Sequence, residues 1–120
     1  MSAFLGGSSR QSLQVARGAL DVAVKGATGA AASSLSAELF VVAKTLHGSL
    51  SLRRAITDPS RDASAKETLI KDLFKSLSAP AIDLTAKVSS LRWSNSGDLV
   101  NVLEQLAIEA QASAANIDGV

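Results

Sequence analysis

The sequence predicts an all-α protein, a compact six-helix bundle, and three observations lead there. The chain of 120 residues contains 21 Ala and 16 Leu, with no Tyr and only two Pro. That composition favours helix over strand. Apolar residues recur at three- and four-residue steps, and no segment sustains period-two alternation. Gly and Pro fall mostly between the periodic stretches, where breakers belong. Hydrophobic residues make up 47% of the chain and charged residues 19%, enough apolar material for the core of one domain.

The first helix is expected over residues 9–24. Ser8 or Ser9 can cap it, and Gly26 and Gly29 follow its end. Leu13, Ala16, Leu20 and Val24 form an inner stripe. The second helix is expected over 34–47, with Leu35, Leu39, Val42 and Leu46 facing inward and Phe40 and Val41 widening that face. Gly48 ends it. The uncharged stretch 26–37 is only twelve residues long, too short to span a bilayer.

A short helix over 50–56 should stop at Asp58-Pro59, because the residue before Pro avoids the helical region. In the fourth helix, Ser64-Ala65-Lys66-Glu67 fits a capping box. Leu69, Ile70, Leu73 and Leu77 then face inward, flanked by Phe74. The fifth helix is expected to start at Pro80, a good first-turn residue, with Asp83 suiting the dipole. It should run to Leu91 or Trp93. Ser96 is the expected cap of the sixth helix, whose inner face is Leu99, Val102, Leu103, Leu106 and Ala110. Residues 1–7 are expected to be a flexible N-terminus, 8–115 the bundle, and 116–120 a frayed end.

Most chemistry is excluded by composition or spacing. Twelve Lys and Arg against eleven Asp and Glu leave a net charge of +1, so no strong field attracts nucleic acid or an anionic membrane. The chain has no Cys and one His, His47, which removes thiolate chemistry and any site needing two imidazoles. The carboxylates Asp58, Asp62, Asp83 and Asp98 sit at helix starts or turns, where capping explains them. Residues 26–29 are Gly-rich but lack the Lys-Ser/Thr ending of a phosphate loop and read as a turn. No catalytic residue, cofactor site or metal site is expected. The N-terminus lacks a signal-peptide pattern, which points to the cytosol.

Two features remain. Arg53, Arg54, Lys66, Lys71 and Lys75 could form a basic surface for RNA, although interleaved Glu67 and Asp72 and the scarcity of aromatics favour a solvated mixed face. The first and fifth helices each carry a second stripe: Val15, Ala19 and Val22 on one, Ile82, Ala86 and Ser89 on the other. Both helices could simply lie deep in the bundle. Alternatively, the second stripes meet in a shallow apolar groove that accepts an amphipathic helix from a partner. Trp93, the only Trp, is either a core anchor or a neighbour of that groove.

The order of elements resembles the N-terminal domain of the δ subunit of F-type ATP synthase, called the oligomycin-sensitivity-conferring protein in mitochondria. Residues 52–59, Leu-Arg-Arg-Ala-Ile-Thr-Asp-Pro, resemble that family's short helix ending before a Pro turn. Residues 64–77 resemble its next helix, with Lys66 in the place of a recurrent Lys. Ser90-Leu91-Arg92-Trp93-Ser94 followed by Asp98-Leu99-Val100 resembles the segment leading into its sixth helix. The start, Ser8-Ser9-Arg10-Gln11-Ser12-Leu13, is similar to one bacterial branch. The likeness covers residues 8–115. The family's early Tyr-Ala pair is missing, as is its smaller C-terminal domain. The resemblance implies a non-catalytic stator subunit at the cytoplasmic face of the bacterial plasma membrane. Its first and fifth helices would bind the N-terminal helix of an α subunit. The absent C-terminal domain would contact a b-type stalk subunit. No nucleic acid, cofactor or direct membrane insertion is implied.

Overall fold

The computed structural model describes residues 7–117. Six helices follow one another within them: α1 (Gly7–Val24), α2 (Gly29–His47), α3 (Leu50–Thr57), α4 (Ala63–Leu73), α5 (Ala79–Ser89) and α6 (Ser96–Ile117). The radius of gyration is 13.5 Å, close to the roughly 13 Å expected of a compact chain this long. The all-α bundle expected from the sequence is therefore borne out. No helix among the described residues is long and apolar enough to cross a membrane.

The core forms where α2 and α6 lie against each other. Leu39, Val42 and Leu46 of α2 are fully buried, as are Leu99, Leu103, Leu106 and Ala107 of α6. The Ser36 hydroxyl of α2 donates to the Ala107 carbonyl at 2.6 Å, inside the interface. A small side chain there lets the two backbones approach. Ala16 and Leu20 of α1, Ile56 of α3, Ile70 of α4 and Val88 of α5 close the same core.

Each helix begins or ends for a local reason. Gly26 takes φ +75°, a left-handed turn that glycine adopts without Cβ strain. The Thr28 hydroxyl then accepts from the Ala31 N–H and starts α2 at Gly29, earlier than the expected Ser34. The added turn is Gly, Ala and Ser, in which Ala favours helix but no large apolar residue marks a stripe. Ser49 caps α3 by accepting from the Leu52 N–H. Extended backbone at Asp58, before Pro59, ends α3.

Several expected positions are corrected. The cap of α4 is Asp62, which accepts from the Ala65 N–H at 2.7 Å. Ser64 lies inside the helix, and Glu67 pairs with Lys71 rather than closing a capping box. Asn95, not Ser96, caps α6, its side-chain oxygen accepting from the Asp98 N–H at 3.0 Å. Phe40 and Val41 do not widen the inner face of α2 but are 42% and 49% exposed. In α4 the buried positions are Lys66 and Ile70, Phe74 is buried just past its end, and Leu73 is exposed. α4 ends at Leu73 and α5 at Ser89, both short of the expected limits. Gly7, Asn116 and Ile117 are helical; residues 1–6 and 118–120, expected to be flexible or frayed, lie outside the described residues.

Neighbouring positions on α2 test this register. Leu39→Ala should cost about 2–5 kcal/mol through the cavity it leaves, and Phe40→Ala less than about 1 kcal/mol. Urea unfolding of the two variants reads the difference, and equal losses would contradict the placement.

Candidate partner-binding site

α1 and α5 lie side by side and antiparallel. Residues from the start of α1 meet the end of α5, and residues from the end of α1 meet its start. Each helix is fastened independently. Near the start of α1 the Ser9 hydroxyl donates to Asp98 of α6 at 2.6 Å and accepts from the Ser94 N–H at 2.7 Å. The Ser12 hydroxyl donates to the Arg92 carbonyl. Farther along, Arg17 pairs with Glu109 of α6 at 2.9 Å. At the start of α5, Ser78 donates from both its N–H and its hydroxyl to the two carboxylate oxygens of Glu38 on α2. Ser78 itself makes no side-chain cap bond to the first turn of α5.

A groove of about 550 Å³ runs between the second half of α1 and the first half of α5. Ala19, Val22 and Ala23 form one wall; Pro80, Asp83, Leu84 and Lys87 form the other. Val22 is 74% exposed on its edge. Small side chains at Ala19 and Ala23 leave room for close approach on the α1 side, while Asp83 and Lys87 place one charge of each sign along the α5 side. An amphipathic helix could lay its apolar face here and set polar residues against that rim.

The six residues predicted from the second stripes separate into two groups. Ala19 and Val22 are brought together in the groove. Val15 is exposed on α1, one turn before Ala19. Ile82 is half-buried against the core. Ala86 and Ser89 do not line the groove: Ser89 is fully buried and Ala86 nearly so. The reason is α4, which packs on that side of α5 and sends the Lys66 ammonium to the Ser89 carbonyl at 3.2 Å. The α5 wall that sequence reasoning missed is Pro80, Asp83, Leu84 and Lys87. Its only signal was helical spacing, because three of the four are not core-type residues and Leu84 is itself buried in the core.

The basic residues do not form one surface. The Arg53 guanidinium donates to the carbonyls of Leu46 and His47 and so caps the C-terminus of α2. Lys66 is 4% exposed. Burial lowers its pKa below the ordinary lysine value of 10.5; Asp58 acts in the opposite direction and Arg61 in the same one. Asp58 itself is held below the usual carboxylate value, chiefly by hydrogen bonds from the hydroxyl and N–H of Ser60. Trp93 is buried, with its indole N–H donating to the Val88 carbonyl at 3.0 Å, and it is absent from the groove walls.

Fold and groove together define a class, the all-α helical bundle with an open groove between two pinned helices. No family model matches the chain. Known proteins do. The chain is 44% identical over 114 residues to the ATP synthase subunit delta of Streptomyces coelicolor, covering 94% of this chain and 41% of that protein. It is 41% identical over 115 residues to the subunit of the same name from Streptomyces avermitilis, covering 95% and 42%. The corresponding protein of Kineococcus radiotolerans is 35% identical over 114 residues, covering 94% and 41%. The chain is thus homologous to the ATP synthase delta subunits, and the family resemblance read from its sequence is borne out. It spans about two-fifths of the length of these relatives.

The lowered pKa of Lys66 gives a pH prediction with a definite sign. The folded chain releases this proton below 10.5, whereas the unfolded chain holds it until about 10.5. The unfolded state binds more protons in that window, so the stability tied to Lys66 rises with pH through it. Lys66→Met, which keeps the alkyl volume and removes the charge, should be more stable than the parent at neutral pH. Its advantage should shrink as pH approaches 10.5. Urea unfolding of both proteins across that range is the check; a constant difference would contradict it.

Proposed function

We propose that this chain is a non-catalytic stator domain of an F-type ATP synthase, corresponding to the N-terminal part of a delta subunit. In this reading it joins the catalytic head to the peripheral stalk. The α1–α5 groove receives the N-terminal amphipathic helix of an α subunit. A C-terminal domain beyond these 120 residues contacts a b-type stalk subunit. The domain sits peripherally, at the cytoplasmic face of a bacterial plasma membrane. The observation that supports this best is the groove itself, apolar at Ala19, Val22, Ala23 and Leu84 and open along a pair of fastened helices.

The mechanism is mechanical. A stator must resist torque, so the docked helix has to press on a scaffold that does not yield. The Ser9–Asp98 and Arg17–Glu109 contacts secure α1, and the Ser78–Glu38 contact secures α5. Neither helix can move away from the other without breaking hydrogen bonds to the α2–α6 pair. Use of Arg53 and Lys66 inside the fold weighs against the RNA-binding alternative.

Calorimetric titration with a synthetic peptide of an α subunit's N-terminal segment tests this. Binding should show a negative heat-capacity change and little salt dependence, because apolar burial dominates. Val22→Asp should weaken it about tenfold or more while leaving the melting temperature unchanged, as Val22 is an exposed groove residue. Trp93 emission should stay constant at saturation. No binding, or affinity that falls steeply with salt, would overturn the reading.

A further inference from the structure

We propose that a second pocket, where the starts of α1 and α4 face the α5–α6 link, binds a phosphate dianion, either free or as the phosphate group of a small monoester. This cavity of about 310 Å³ lies at the opposite end of the α1–α5 seam from the groove. Three cations line it, Arg61, Lys66 and Arg92, together with the hydroxyl-bearing residues Ser8, Thr57 and Ser90. No acidic residue lines it.

The charge arrangement asks for an anion. Lys66 is almost fully buried, and its ammonium has three N–H donors but one acceptor, the Ser89 carbonyl. Among the described residues, none of the three cations has a carboxylate within ion-pair distance; the two pairs present are Arg17–Glu109 and Lys71–Glu67. Asp58, whose charge is felt at Lys66, does not line the cavity, and its carboxylate is engaged by the N–H and hydroxyl of Ser60 at 2.9 and 2.7 Å. A buried cation without a counter-ion is costly, and the Arg61 guanidinium adds repulsion. One dianion would relieve both. Two guanidinium forks from the α3–α4 and α5–α6 links and an ammonium from α4 supply more donors than a two-oxygen carboxylate can accept. They match a tetrahedral oxyanion instead.

Trp93 forms part of the same wall and reports on occupancy. Inorganic phosphate should change its emission saturably and raise the melting temperature, at ionic strength held constant with chloride. Acetate should do neither. Glycerol 3-phosphate in a parallel titration distinguishes the sources: equal binding assigns the site to a phosphate monoester, and weaker binding assigns it to the free anion. Arg92→Gln, at an exposed side chain, should weaken phosphate binding about tenfold. Lys66→Met should do the same, with its folded state checked by circular dichroism. Phosphate acting like chloride or acetate would overturn the proposal, as would Arg92→Gln binding as tightly as the parent. Failure here leaves the helix groove untouched, since peptide binding and Trp93 emission are read separately.

Discussion

The pairing of α2 with α6 is the constraint on which the rest of the bundle depends. Its seam combines the Leu39, Val42 and Leu46 stripe with Leu99, Leu103 and Leu106, all buried. Each such side chain is worth about 1.5–3 kcal/mol removed from water. The Ser36 hydroxyl bonded to the Ala107 carbonyl sets how closely the backbones approach. A larger residue at position 36 would separate the pair, and a purely apolar small one would lose the buried bond. α1, α3 and α5 pack onto this pair, and α4 packs on α5. α1 rests on α6, and α5 touches both members. Because α1 and α5 each spend one face on the pair, they meet each other only along an edge. That edge remains open as the groove.

Polar contacts decide where the outer helices lie along this pair, since apolar packing alone permits sliding. Ser9, Ser94 and Asp98 fix the start of α1 against the start of α6 over a sequence separation of nearly the whole chain. Glu38 fixes the start of α5 from the middle of α2. These bonds connect backbone N–H groups and short hydroxyls with little rotamer freedom, so ordering them costs less entropy than long surface ion pairs would. Among the outer helices, the two that form the groove are tied to the α2–α6 pair by polar contacts forty or more residues apart in sequence.

Helix number, order and the inner stripes of α2 and α6 were legible in the sequence because large apolar residues at helical spacing specify a face. Positions at the margin of a stripe were not. Phe40 and Val41 sit next to Leu39 and Val42 in sequence but about 100° around the helix, and only the tilt of α2 against α6 decides which side is covered. Ser89 and Ala86 looked suited to a helix groove because they are small. Small residues suit a buried helix contact equally well, and α4 occupies that side. The start of α2 was missed because Ala and Ser carry no stripe, and the cap of α4 because Asp62 and Ser64 both precede an apolar run. Lys66 shows the limit most clearly. It stands between Ala65 and Glu67, and nothing local says that its ammonium turns inward to Ser89.

The groove and the cation-lined pocket share α1 and α5 but lie apart along them. Ser8 and Ala19 are eleven residues apart on α1, about 16 Å along its axis. Between them lie Ser9 and Ser12, bonded to the α5–α6 link, and Arg17, bonded to Glu109. A force applied at Val22 therefore reaches three anchors before it reaches the start of the helix. On α5 the order is reversed: Ser78, tied to Glu38, precedes the groove wall, and Ser90 at the pocket comes after it. Antiparallel helices fastened in this way share a shearing force between the α2 and α6 sides of the core. A parallel pair anchored at one end would swing about that end instead. The geometry that leaves a groove open is thus also the geometry that keeps its walls from parting.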